Sequence, residues 1–146
     1  MFFDKTEMQA GDPLTDQLKG AIRSASVHIA IFSPKYVESK WCLDELLLML
    51  ESLESGATII PFFYHVKPND LRWAAKGGAY AKAMLNHKEK KTKDSETGKE
   101  KPRYDSYTIN NWIKALHRVA DISGLNLEDC NGSEILYLCS PYYFFR

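Results

Sequence analysis

Net charge is the first thing this chain lacks: Lys plus Arg and Asp plus Glu each number 19 among 146 residues. No global field draws it to nucleic acid or to an anionic membrane, so its partners are chosen by local chemistry. Cysteine is scarce too. Cys42, Cys130 and Cys139 make an odd set without framework spacing, which argues against a disulfide scaffold. No stretch reads as a secretory leader or a spanning segment, and a reducing cytosol is the expected compartment. His28, His65, His87 and His117 stand at no ligand spacing from one another or from cysteine, so no metal is expected. Gly77-Gly78 lacks the Lys and Ser or Thr of a phosphate-binding loop, and no internal repeat is found.

What the chain does have is apolar content, 45% of its residues, at a length that supports one core and not two. Met1-Phe2-Phe3-Asp4 reads as a stub of strand, followed by a polar loop in which Gly11 is free to take a positive φ. Pro13 suits a first helical turn, and Leu14, Leu18, Ala21, Ile22 and Ala25 form one stripe. Val27 to Phe32 is a β-branched and aromatic run of buried-strand length. A loop over 33–40, a helix from Trp41 to Leu53, a Ser55-Gly56 stop and a strand from Thr58 to Tyr64 follow. Such β-α-β alternation predicts a parallel sheet whose ligands sit beyond the carboxyl ends of the strands. A turn around Pro68 and a short helix from Ala79 to Asn86 come next. The stretch 87–103 is nearly devoid of apolar residues and reads as a mobile loop. Ile109, Trp112, Ile113, Leu116, Val119 and Ala120 make a last helical stripe, ended by Gly124 before a brief edge strand at 125–127.

The chain is organised around Ser33-Pro34-Lys35-Tyr36-Val37-Glu38-Ser39-Lys40-Trp41-Cys42-Leu43-Asp44-Glu45-Leu46. Leu43, Leu46, Leu47 and Leu50 are spaced to face a core, while Trp41 and Glu45, four apart, share a different face near the start of the helix. An aromatic plate beside a carboxylate suits a nucleoside. Taken alone, Glu45 reads more simply as a solvated carboxylate favoured by the helix dipole, and Trp41 serves equally well as a cap on the core. Cys42 reads as a buried thiol and Asp44 as a surface or helix-start charge.

This stretch resembles the central signature of plant Toll/interleukin-1 receptor (TIR) domains, in which a strand ending in Phe-Ser leads to Trp-Cys-Leu-Asp-Glu-Leu. The run Ile59-Ile60-Pro61-Phe62-Phe63-Tyr64 through Arg72 is similar to the family's next strand and turn. The resemblance implies a flavodoxin-like α/β fold with a parallel sheet. It implies a partial TIR domain over 1–134, lacking the first strand and helix with their Phe-Leu-Ser-Phe-Arg-Gly type segment. A divergent aromatic tail over 135–146 stands where the family has a final helix. It further implies hydrolysis of NAD at the nicotinamide-ribose bond, with NAD as substrate and no cofactor. Glu45 would be the catalytic carboxylate, and Ser39, Trp41, Cys42 and Gly11 would surround the substrate. Other TIR domains are the implied partners in plant defence, with neither membrane nor nucleic acid. The alternative is a non-catalytic adaptor or decoy that binds other TIR domains; a flavodoxin-like nucleotide-binding regulator is the third reading.

Overall fold

The structure, a computed structural model, describes residues 16–126. Gly11, the stub at 1–4 and the tail at 135–146 lie outside them. Helix α1 (Asp16–Ser24) leads into β1 (Val27–Phe32), a single turn of 3-10 helix (Tyr36–Glu38), α2 (Lys40–Glu54) and β2 (Thr58–Phe63). Then come α3 (Pro68–Arg72), α4 (Ala81–Glu89), the strands β3 (Lys91–Lys93) and β4 (Glu100–Pro102), α5 (Ser106–Ala120) and β5 (Leu125–Asn126).

Strands β1, β2 and β5 form one sheet in that order, all parallel, with Val27 opposite Thr58 and Phe62 opposite Leu125. This order matches the 3-4-5 side of a flavodoxin-like sheet. Gly124 is required where β5 begins, because a Cβ there would meet the Pro61 carbonyl oxygen at 2.3 Å.

The core lies between the sheet and the helices. Phe32 stacks on Phe63 with centroids 5.9 Å apart, and Ile22, Leu43, Leu46, Trp112 and Leu116 are buried around them. Burying each such side chain favours folding by roughly 1.5–3 kcal/mol. Helix α2 packs on α1, β2 and α5 at once. Its burial therefore exceeds the leucine stripe and extends to Trp41, Cys42 and Glu45.

Two readings of the sequence are corrected. The turn at Pro68 is a short helix, started by Pro68 in its first turn and by the Asp70 carboxylate, which accepts from the Lys67 N–H at 2.8 Å. The stretch 87–103 is no loop: α4 runs on to Glu89, and β3 and β4 pair antiparallel, with Thr92 opposite Lys101. The hairpin turns on Asp94, whose Oδ1 accepts from the Glu96 and Thr97 N–H groups, both at 3.0 Å, with Gly98 at φ 68 completing the turn. Side-chain hydrogen bonds here do what apolar alternation does elsewhere.

Candidate functional site

The chain leaves β1 at its carboxyl end, winds through the 3-10 turn and enters α2 at Ser39. The Ser39 hydroxyl accepts from the Cys42 N–H at 3.5 Å and so caps the helix. Three buried side chains fix this short path. Tyr80 donates its hydroxyl to the Ser33 carbonyl at 2.7 Å, Tyr36 donates to the Cys42 carbonyl at 3.0 Å, and His87 Nε2 lies 2.7 Å from the Val37 carbonyl. The bonds to Ser33 and Cys42 add a second donor to carbonyls that already sit in the 3-10 turn and in α2, and the bond to Val37 holds the middle of the 3-10 turn.

On the first turns of α2 the structure brings Ser39, Trp41, Cys42 and Glu45 together. Glu45 is 1% exposed, and neither carboxylate oxygen has a hydrogen-bond partner among the described residues. Burial, and secondarily the charge of Asp44, push its carboxyl up to about 8. Trp41, on the same face, is also buried with its indole Nε1–H unpartnered. Native interiors rarely leave such groups unpaired. The Trp41 donor and the Glu45 acid, four residues apart, are polar groups that packing among the described residues leaves unsatisfied. The solvated-carboxylate reading of Glu45 fails on burial. Trp41 joins the core while keeping a free polar edge.

Cys42 is fully buried, and its thiol is pushed up to about 12 by burial and then by the Glu45 charge. It stays protonated and fills space rather than acting as a nucleophile. Asp44 is no free surface charge: it is half-buried, ion-paired with Lys40, and accepts from the Trp112 indole N–H at 3.0 Å. Gly11 lies outside the described residues, and no cluster of metal-ligating side chains occurs among them.

Two clefts lie away from Glu45. One of about 780 Å³, between α4 and α5, is lined by Met84, Leu85, Tyr104, Ile109 and Ile113. The other, about 890 Å³, opens at the carboxyl ends of β2 and β5 beside His65, Lys67, Arg72 and Asn126. Sequence reasoning missed the ties made by His87 and Trp112, because their partners lie 50 and 68 residues away and no local periodicity encodes them.

A parallel sheet flanked by helices, with a buried carboxylate at the head of the helix that follows its first described strand, defines an α/β domain of flavodoxin-like class. Residues 1–137 match the TIR domain family, and the chain belongs to it. It is 46% identical over 70 residues to a probable 2′ cyclic ADP-D-ribose synthase, BdTIR, of Brachypodium distachyon, a match covering 48% of this chain and 30% of that protein. It is 30% identical to the disease resistance protein RPV1 of Vitis rotundifolia over 87% of this chain and 8% of that protein. Similarity to LAZ5 of Arabidopsis thaliana, another disease resistance protein, is 31% over 92% of this chain and 10% of that one. The chain thus spans less than a third of each of these relatives. Among solved structures it resembles the TIR domains of the activated Roq1 resistosome that recognises the pathogen effector XopQ. That TM-score is 0.67 at 28% identity, covering 88% of this chain and 70% of that one. The chain is a TIR domain of the plant disease-resistance type. No helix among the described residues is long and apolar enough to cross a membrane.

Proposed function

We propose that this TIR domain cleaves NAD at the bond between nicotinamide and ribose, with Glu45 as the catalytic carboxylate, and that it acts in plant defence by associating with other TIR domains. The observation that carries the reading is the pair of unpartnered Glu45 oxygens on the same helix face as the unpartnered indole N–H of Trp41. Breaking the C1′–N bond sends its electron pair to the nicotinamide nitrogen and leaves oxocarbenium charge on the ribose. The leaving ring is already cationic and departs neutral, so no general acid is needed. A single carboxylate near the ribose hydroxyls orients the sugar and stabilises the charge that develops. The approach of that cation favours the ionised form of Glu45, against the burial that disfavours it. Trp41 and Ser39 would wall the nucleoside, and Cys42 would line the turn below. No cofactor takes part, since NAD is the substrate. The ADP-ribosyl cation left when nicotinamide departs becomes ADP-ribose once water adds at C1′ and loses a proton, and the name of the Brachypodium relative, a probable 2′ cyclic ADP-D-ribose synthase, fits that chemistry.

The test is nicotinamide release from NAD by the purified chain at high concentration, alone and with an intact relative added, beside Glu45→Ala. Release by wild type that disappears in the variant is expected. Release that survives in Glu45→Ala contradicts the assignment. A chain silent on its own that lowers the intact domain's turnover is an adaptor or decoy.

A further inference from the structure

Helix α4 carries a buried histidine that serves neither the sheet nor the surface. His87 is 2% exposed and packs edge-on against Tyr104, with centroids 5.7 Å apart, and against Trp112, at 5.4 Å. Its Nε2 lies 2.7 Å from the Val37 carbonyl. A carbonyl oxygen only accepts, so Nε2 carries the proton and the ring is held in a single tautomer. Nδ1 is buried without a partner among the described residues. A ring kept for its volume alone would be better served by Phe, because the unpaired Nδ1 costs desolvation that packing does not return.

The bonded carbonyl belongs to the middle residue of the 3-10 turn, two residues before the Ser39 cap and four before Trp41. That turn fixes where α2 begins and therefore how Ser39, Trp41 and Glu45 are presented. On its other side the Tyr36 hydroxyl bonds the Cys42 carbonyl at 3.0 Å, so the turn is tied both to α4 and to the first turn of α2. Trp112, which closes over His87, also donates to Asp44, the neighbour of Glu45.

We propose that His87 is a positioning residue for the Glu45 site: the hydrogen bond from its Nε2–H to the Val37 carbonyl holds the turn that sets Ser39, Trp41 and Glu45 for the substrate. The proposal rests on the reading of Glu45 given above for its link to turnover, but not for its structural half. What matters is the donor, not the ring. A glutamine at this position places an amide N–H near where Nε2 stood, whereas phenylalanine fills the aromatic pocket without a donor. Small displacements of catalytic groups are expensive, and a shift of about 1 Å can cost on the order of 100-fold in rate.

Wild type, His87→Gln and His87→Phe are compared by backbone hydrogen exchange over 36–43 and by nicotinamide release from NAD, with thermal midpoints measured alongside. His87→Phe is expected to speed exchange in this segment by at least tenfold and to lower kcat by at least tenfold at a similar KM. His87→Gln should restore both toward wild type, whichever variant has the higher midpoint. Exchange unaltered in His87→Phe overturns the proposal, as does exchange or turnover that follows the midpoint instead of the donor. Donor-dependent exchange with unchanged turnover also overturns it, leaving the bond a structural tie. If wild type itself releases no nicotinamide, the Glu45 reading fails, and the exchange comparison alone decides whether His87 holds the turn.

Discussion

Two carboxylates in this molecule show how differently the same group can be used. Asp94, at the tip of the β3–β4 hairpin, accepts from two backbone N–H groups, from the Thr97 hydroxyl at 3.2 Å and from Lys101 at 2.8 Å. Those donors favour its charged form and hold it down at about 2. Glu45, on α2, has the opposite surroundings: burial on all sides, Asp44 as the next residue, and no donor among the described residues. It is pushed up to about 8. Asp94 builds local structure and is used up in doing so. Glu45 bonds nothing among the described residues and contributes nothing to the fold that Leu or Met would not contribute better; under the proposed function it is kept for the substrate.

The largest effect that would break this contrast is expected from Glu45→Gln, which keeps the volume and removes the ionisation. Nicotinamide release should fall by roughly 100-fold or more, as when a transition-state stabiliser is deleted. Stability should move the other way. A carboxyl raised from 4.5 in the unfolded chain to about 8 in the folded one binds its proton more tightly when folded, so stability is greatest below 4.5 and declines as pH rises toward 8. The full difference above pH 8 is on the order of 5 kcal/mol. Thermal or urea denaturation between pH 5 and 8 should show wild type losing stability, Glu45→Gln losing less, and the variant the more stable at pH 8.

A smaller loss is expected on the other side of α2. Trp112→Phe keeps most of the ring but removes the donor to Asp44, and should lower stability by about 1–3 kcal/mol in urea denaturation. Lys40 still pairs with Asp44, which keeps the loss toward the lower end. The smallest effect sharpens the contrast from the hairpin side. Asp94→Ala should speed hydrogen exchange over 91–102 while leaving the global midpoint and nicotinamide release unchanged, because this exposed pair of strands stands apart from the main sheet. A large global loss in Asp94→Ala would mean that the two carboxylates are not used as differently as described.

The sequence made the central β-α-β unit legible almost to the residue. β1 and β2 are β-branched runs bounded by Ser33-Pro34 and Ser55-Gly56, and the leucines of α2 repeat at helical spacing. Trp41 and Glu45 were legible as neighbours on one face, but their burial was not. Periodicity gives one inward face, whereas α2 is covered by α1, the sheet and α5 together. The hairpin escaped because Lys91 to Pro102 has no apolar alternation. Its signal was Asp94 four residues before Gly98, a turn written in side-chain hydrogen bonds. Helix α3 escaped because Pro68 reads as a turn as readily as a first helical residue, and Asp70 decides between them only once its bond to the Lys67 N–H is seen. The His87 and Trp112 ties join residues far apart in the chain, and only the packing of α4 and α5 against α2 reveals them.

The most direct test of the central claim is the titration of the Glu45 side-chain carboxyl in the free domain, followed by carbon NMR and assigned with Glu45→Gln. A midpoint near 8 is predicted. A midpoint near the ordinary 4.5 would mean a solvated or satisfied carboxylate, and would remove the physical ground for setting Glu45 apart from any other helix glutamate.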